Sequence, residues 1–193
     1  MKLSAALLLL SAWAFAGSVD KSKTSGNPSA PITIELFSDF QCPSCRQLHM
    51  TMLPAILKDY VIPGKAYLVY KEFPLPQHNH AKEAAAYAVA ASRVGKYERV
   101  ADALFQNQPS WANDGKVFET VATVLSPAEQ KKVQTLAKDP AVLSEIEQEV
   151  NEGIAGKINQ TPTLIVVSKG KRFPFGGIPN YDLFRRFLDD LGK

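Results

Sequence analysis

The chain has 193 residues, 46% hydrophobic and 21% charged, which is enough for one domain with a full core and leaves length for an insertion. Its formal net charge is +3, and +2 once Lys2 in the leader is discounted, a surplus too small to predict nucleic-acid or strong membrane binding. Its two cysteines, Cys42 and Cys45, are so close that a bridge between them would add little stability, which argues against a disulfide scaffold and for chemistry.

The N-terminus joins a positive Met1-Lys2 to an apolar run, Leu3 to Leu10, and a small-x-small site, Ala14-Phe15-Ala16. Residues 1–16 therefore read as a secretory signal cut after Ala16. The run is short for a membrane span, and no cysteine stands at the cleavage point to carry a lipid. Residues 17–30 are polar and rich in breakers, a flexible lead with the fold beginning near Pro31.

Ile32 to Phe37 is apolar and β-branched, a buried strand. Arg46 to Tyr60 carries Leu48, Met52, Leu53, Ile56 and Leu57 at helical spacing, with Pro54 as a kink. Cys42 and Cys45 thus fall at a helix N-terminus, where unpaired N–H groups and the positive end of the dipole favour a thiolate. Pro43 suits the first turn, which has no use for its missing N–H. Ala66 to Lys71 is a second strand, and Phe73-Pro74-Leu75-Pro76 interrupts regular structure.

From about residue 80 to 158 the signals are helical: Ala81 to Val94 stopped by Gly95, Tyr97 to Gln106, Gly115 to Leu125, Pro127 to Ala137 and Pro140 to Ile154. Ser126 and Glu129 match a capping box with Pro127 at the first helical position. Thr163 to Val167 is strongly β-prone, Lys169-Gly170-Lys171 turns it into a hairpin, and an amphipathic helix from Tyr181 to Leu188 follows Asn180 as its cap. The order is a βαβ half, a helical block and a ββα half. This α/β pattern predicts a thioredoxin-like fold over residues 31–193 with a helical insertion between the halves.

Two cysteines at this spacing can close a disulfide, with Cys42 at the helix tip the more exposed and Cys45 one turn in and shielded. Cys42 would form a mixed disulfide with a client, and Cys45 would resolve it. Phe37-Ser38-Asp39-Phe40-Gln41-Cys42-Pro43-Ser44-Cys45, then Glu72-Phe73-Pro74-Leu75-Pro76, the helical insert and Gln160-Thr161-Pro162-Thr163 resemble the DsbA family of thiol-disulfide oxidoreductases, in the branch that includes BdbD-type oxidases. The resemblance implies a dithiol oxidase with Cys42 as nucleophile and Cys45 as resolving cysteine. It also implies that Pro162 is a cis-proline facing them and that Thr161 has backbone groups free to pair with an extended client; an ordinary trans turn is the alternative.

By the same resemblance Glu35 is the buried acid that moves protons for the resolving cysteine, against the alternative of a solvent-facing strand position. Asp39 reads as a loop residue. Pro43, Ser44 and Phe40 belong to the client-binding surface, with Phe175 a further candidate for an apolar groove. Ser44 stands where the strongly oxidising prototype has histidine, which should make this disulfide less oxidising.

The resemblance further implies a redox-active Cys42–Cys45 disulfide with no other cofactor, and no metal. It implies reduced, unfolded exported proteins as clients, a membrane quinone-linked reoxidising partner, a monomer, and a periplasmic or other extracytoplasmic location. An isomerase or reductase, and a non-catalytic chaperone-like module, are the rival readings. A zinc site from Cys42, Cys45, His49, His78 and His80 lacks a second pair at finger spacing, and Arg46 excludes Cys-x-x-Cys-His haem attachment. His49 reads as a helix-surface residue, and His78 and His80 as part of a solvated loop.

Overall fold

The computed structural model describes residues 23–192. Its sheet has the strand order β1-β3-β2-β4-β5, formed by β1 (Thr24–Gly26), β2 (Ile32–Ser38), β3 (Ala66–Glu72), β4 (Thr163–Ser168) and β5 (Lys171–Gly176). β2 and β3, joined by a helical crossover, are parallel, and the other pairings are antiparallel. Alternation along the strands sorts the side chains onto two faces. Ile34, Leu36, Leu68, Tyr70, Leu164 and Val166 enter the main core on one face. Phe37 and Ile165 fall on the other, with Phe73 and Ile158.

The cysteine helix is shorter than its apolar spacing predicts. It runs as α1 (Pro43–Thr51), breaks at Met52, and continues as α2 (Leu53–Ile56) and a π-helical turn, Leu57–Val61. Pro54 lies in the first turn of α2 and has no N–H to extend the ladder of α1. The insertion consists of α3 (Ala81–Ser92), α4 (Tyr97–Gln106), α5 (Gln108–Asp114), α6 (Val117–Ala122), α7 (Pro127–Leu136) and α8 (Pro140–Ala155). The closing helix α9 spans Tyr181–Leu191, and Asn180 caps it by accepting from Leu183 N–H. Ser126 and Glu129 form the expected capping box.

Two elements escape the sequence reading. Asn107-Gln108-Pro109-Ser110 looks like a breaker, yet Pro109 starts α5 and Trp111 is fully buried, its indole N–H donating to the Leu104 carbonyl at 2.7 Å. The second is a correction to the flexible lead. Thr24–Gly26 pairs with β3, and Lys23 is 1% exposed, its ammonium 2.7 Å from Glu149, 3.3 Å from Glu145 and 3.7 Å from Glu72. One of two lysines in a polar stretch, Lys23 gives no hint of carboxylate partners this distant in sequence. The signal at 1–16 and residues 17–22 of the lead lie outside the described residues.

Candidate active site

Cys42 is the N-cap of α1 and Pro43 occupies its first turn, so the backbone N–H groups of Ser44 and Cys45 point at the Cys42 sulfur. Cys42 is 7% exposed and Cys45 1%, while Pro43 and Ser44 between them are exposed. Both cysteines are thiols here. A hydrogen bond from Cys45 is the main reason the Cys42 thiol is lowered to about 5. Burial works against this, and the Thr161 side chain and the two backbone N–H groups add to it. Cys45 moves the opposite way. Burial first, then its bond to Cys42 and the charge there, push it well above the ordinary thiol range, although Ser38 and the Asp39 N–H partly offset this. The pair thus holds one ready thiolate and one reluctant thiol.

The wall opposite is Thr161-Pro162, whose peptide bond is cis, as the resemblance implies. The Cys42 thiol lies 3.3 Å from the Thr161 carbonyl, to which it donates. Among the described residues the Thr161 hydroxyl is the buried side-chain oxygen left without a regular hydrogen-bond partner, and the nearby Cys42 sulfur is the group it influences.

The loop before Cys42 is held in place by side chains that the sequence reading passed over. Asp39 is a loop residue, as read, but a fully buried one. Its carboxylate accepts from the backbone N–H of Gln41 (2.7 Å) and Leu75 (2.8 Å) and pairs with His78 Nδ1 (2.7 Å), while its own N–H donates to Cys45 Sγ at 3.4 Å. The Gln41 amide accepts from His80 N–H and donates to the Ala112 carbonyl, and the Gln108 amide donates to the carbonyls of Phe40 (2.6 Å) and Cys42 (3.0 Å). α5 and the start of α3 thus clamp the redox loop to the insertion. The available signal was that Asp39, His78 and His80 flank the two breaks in regular structure, where polar side chains find backbone partners.

Three expectations need correction. Glu35 lies on the sheet face away from Cys45 and makes a bidentate pair with Arg172 on β5, at 3.0 and 2.6 Å. Strand alternation forces this, because Leu36 and Ser38 are the β2 residues beside Cys45. The buried acid on the Cys45 face is Glu72, in phase with Leu68 and Tyr70, and burial raises it to about 7 despite partial compensation by Lys23. Phe40 is 3% exposed and stacks against Phe105, with ring centroids 4.9 Å apart, so it is core rather than client surface. His49 is no free surface residue either: it is 11% exposed, pairs with Asp102 at 2.7 Å and stacks on Phe105. Phe175 packs edge-on against Phe184 and Phe187 of α9. His49 and His78 are paired with Asp102 and Asp39, and no group of three or more His, Cys, Asp or Glu among the described residues is arranged to hold a metal.

A five-stranded sheet with a helical insertion, a Cys-x-x-Cys pair at a helix tip and a cis-proline opposite define a thioredoxin-fold thiol-disulfide oxidoreductase of DsbA-like architecture. The chain belongs to the thioredoxin family, whose model matches residues 18–190. It is 24% identical over 153 residues to disulfide bond formation protein D of Bacillus subtilis, covering 75% of this chain and 67% of that one. Among solved structures it resembles alpha-DsbA1 of Wolbachia pipientis, with a TM-score of 0.76, 22% identity and coverage of 88% of this chain and 90% of that one. It also resembles oxidised BdbD of Bacillus subtilis, with a TM-score of 0.70, 21% identity and coverage of 88% and 92%.

Proposed function

We propose that the protein is an exported dithiol oxidase that introduces disulfides into folding secreted proteins. It would act in the periplasm or another extracytoplasmic space as a monomer, and a membrane quinone-linked partner would reoxidise it. The observation that carries this reading is the unequal thiol pair, with Cys42 lowered to about 5 and Cys45 pushed up. Each unit by which a thiolate is stabilised favours the reduced protein by about 1.4 kcal/mol, or roughly 30 mV, and so makes the disulfide a stronger oxidant. The helix N-terminus and Cys45 supply this stabilisation without the imidazole that Ser44 replaces. The leader at residues 1–16 supports export, and the name of the Bacillus subtilis relative supports the direction.

A client thiolate attacks Cys42 in the Cys42–Cys45 disulfide, and Cys45 leaves with the electron pair. A second client thiolate then attacks the client sulfur of the mixed disulfide, releasing Cys42 as a thiolate and the client with its new bond. Exposed Pro43 and Ser44 and the Thr161 backbone form the surface a client strand meets. The test is the equilibrium potential against glutathione. A value more positive than about −200 mV is expected, and one near −270 mV would overturn the oxidase reading in favour of a reductase. Cys42→Ser and Cys45→Ser each remove the Cys42–Cys45 bond that the client attacks, and both should abolish client oxidation; a client-binding module would keep its activity in both.

A further inference from the structure

Whichever direction the exchange runs, Cys45 has a proton problem. When the Cys42–Cys45 bond breaks, Cys45 leaves as a thiolate in a site only 1% exposed and must take up a proton; when the bond re-forms, its thiol must give one up. Glu35 is on the wrong face of the sheet to serve. Glu72 is on the right face but is sealed at 1% exposure, its carboxylate taken up by the Tyr97 hydroxyl at 2.7 Å and by Lys23.

A route exists on the other side of Cys45. A cavity of about 10 Å3, room for about one water, is lined by Cys45, Ser38, Tyr70, Tyr97 and His49 on its polar side and by five apolar side chains, Phe40 and Phe105 among them, on the rest. His49 and Tyr70 also line an open groove of about 260 Å3 between α2 and α4, together with Glu98 and Asp102. His49 lies one helical turn beyond Cys45 on α1, hence on the same face. Its ring is 11% exposed, while the Asp102 carboxylate that holds Nε2 is 57% exposed and reaches solvent. The groups with a charge or proton around the imidazole are therefore Cys45 on its own helix, Tyr70 on β3, and Tyr97, Glu98 and Asp102 on α4; α2 contributes only Leu53 and Pro54, and the π-helical turn Leu57.

We propose that His49, oriented by Asp102, is the relay that passes a proton between Cys45 and bulk water, through the small cavity on one side and the open groove on the other. This rests on the exchange chemistry of the Cys42/Cys45 pair but not on its direction. Imidazole suits the task because it carries a nitrogen on each side of the ring, so it can take a proton at one and give one up at the other. His49 acts through Cys45, so it is a positioning and relay residue rather than a catalytic one.

The test separates the two cysteines. Reduced protein is mixed with excess 5,5′-dithiobis(2-nitrobenzoate). Cys42 attacks the reagent, forming a mixed disulfide and releasing one thionitrobenzoate. Cys45 then loses its proton and attacks Cys42 Sγ, closing the Cys42–Cys45 bond and releasing the second thionitrobenzoate. In His49→Ala the second release should slow by at least about tenfold near pH 7 and recover on addition of free imidazole, which the vacated space admits, while the first release is unchanged. Asp102→Asn, at a half-exposed site, should slow the same second release and serves if the alanine variant does not fold. An unchanged second phase in either folded variant, or a slowed one that imidazole does not restore in His49→Ala, would overturn the relay. A wild-type protein with no second phase would instead overturn the oxidoreductase reading itself.

Discussion

Cys42 and Cys45 are chemically alike in sequence and opposite in the folded protein, and the difference lies in what each sulfur meets. Cys42 receives a thiol and two backbone N–H groups; Cys45 is surrounded by apolar core. Alkylation of the reduced protein by iodoacetamide should therefore reach half its maximal rate near pH 5 for Cys42, measured by mass spectrometry, where an ordinary thiol would need about 8.5. A thiol lowered in the fold stabilises the reduced protein fully above the ordinary thiol value of about 8.5, and that contribution is lost as pH falls through about 5. The melting advantage of the reduced over the oxidised form should thus shrink steadily from pH 9 to pH 5, having been worth roughly 2 to 3 kcal/mol at pH 7. Gln108 gives a second prediction. Gln108→Leu strips donors from two carbonyls of the redox loop and should cost roughly 1–3 kcal/mol in urea unfolding.

The elements most exposed to misreading were those whose ends depend on partners. α1, α2 and the π-helical turn look like one helix because their apolar residues keep one period, but Pro54 divides them. The capping box of α7 was legible because its signal is wholly local. α8 meets the sheet through Gly153, where an added Cβ would fall 2.5 and 2.7 Å from the Phe73 ring and 3.3 Å from Phe37. Gly153→Ala would gain about 1 kcal/mol of helix propensity. The two rings are wedged edge to face at 6.1 Å and cannot yield easily, so overpacking of about 1–3 kcal/mol should win. A lower denaturation midpoint is expected, and a higher one would mean that the rings move.

For the molecule as a whole, the N-terminal strand and the insertion are tied together by the buried cluster of Lys23, Glu72, Glu145 and Glu149. Burial alone would lower Lys23, but the three carboxylates outweigh it and keep the ammonium charged. Glu72 is an acid whose pKa is raised in the fold, so the stability it contributes is complete below its unfolded value of 4.5 and is lost as pH rises through about 7. Glu149 is raised in the same direction. Unfolding free energy should fall between pH 5 and pH 8, and Glu72→Gln, which keeps an acceptor for Tyr97, should remove roughly 3 kcal/mol of that fall. Lys23→Met would leave the carboxylates buried without their cation and should cost about 3–5 kcal/mol at pH 8.

Taken alone, the sequence determined the order of the strands and helices apart from β1 and α5, the cysteine pair and its position at a helix tip, and the family resemblance added the Thr161-Pro162 wall. Periodicity, caps and short motifs are properties of neighbouring residues, and they survive whatever the rest of the chain does. Tertiary structure decided which face of the sheet each acid occupies, putting Glu35 on the face away from Cys45 and sealing Glu72 on the other against Tyr97 and Lys23. It also turned Asp39, Gln41 and Gln108 into the frame of the redox loop, and Lys23 into an anchor. Those roles come from hydrogen bonds and charge pairs between residues up to 126 positions apart, and no local pattern records a partner at that distance.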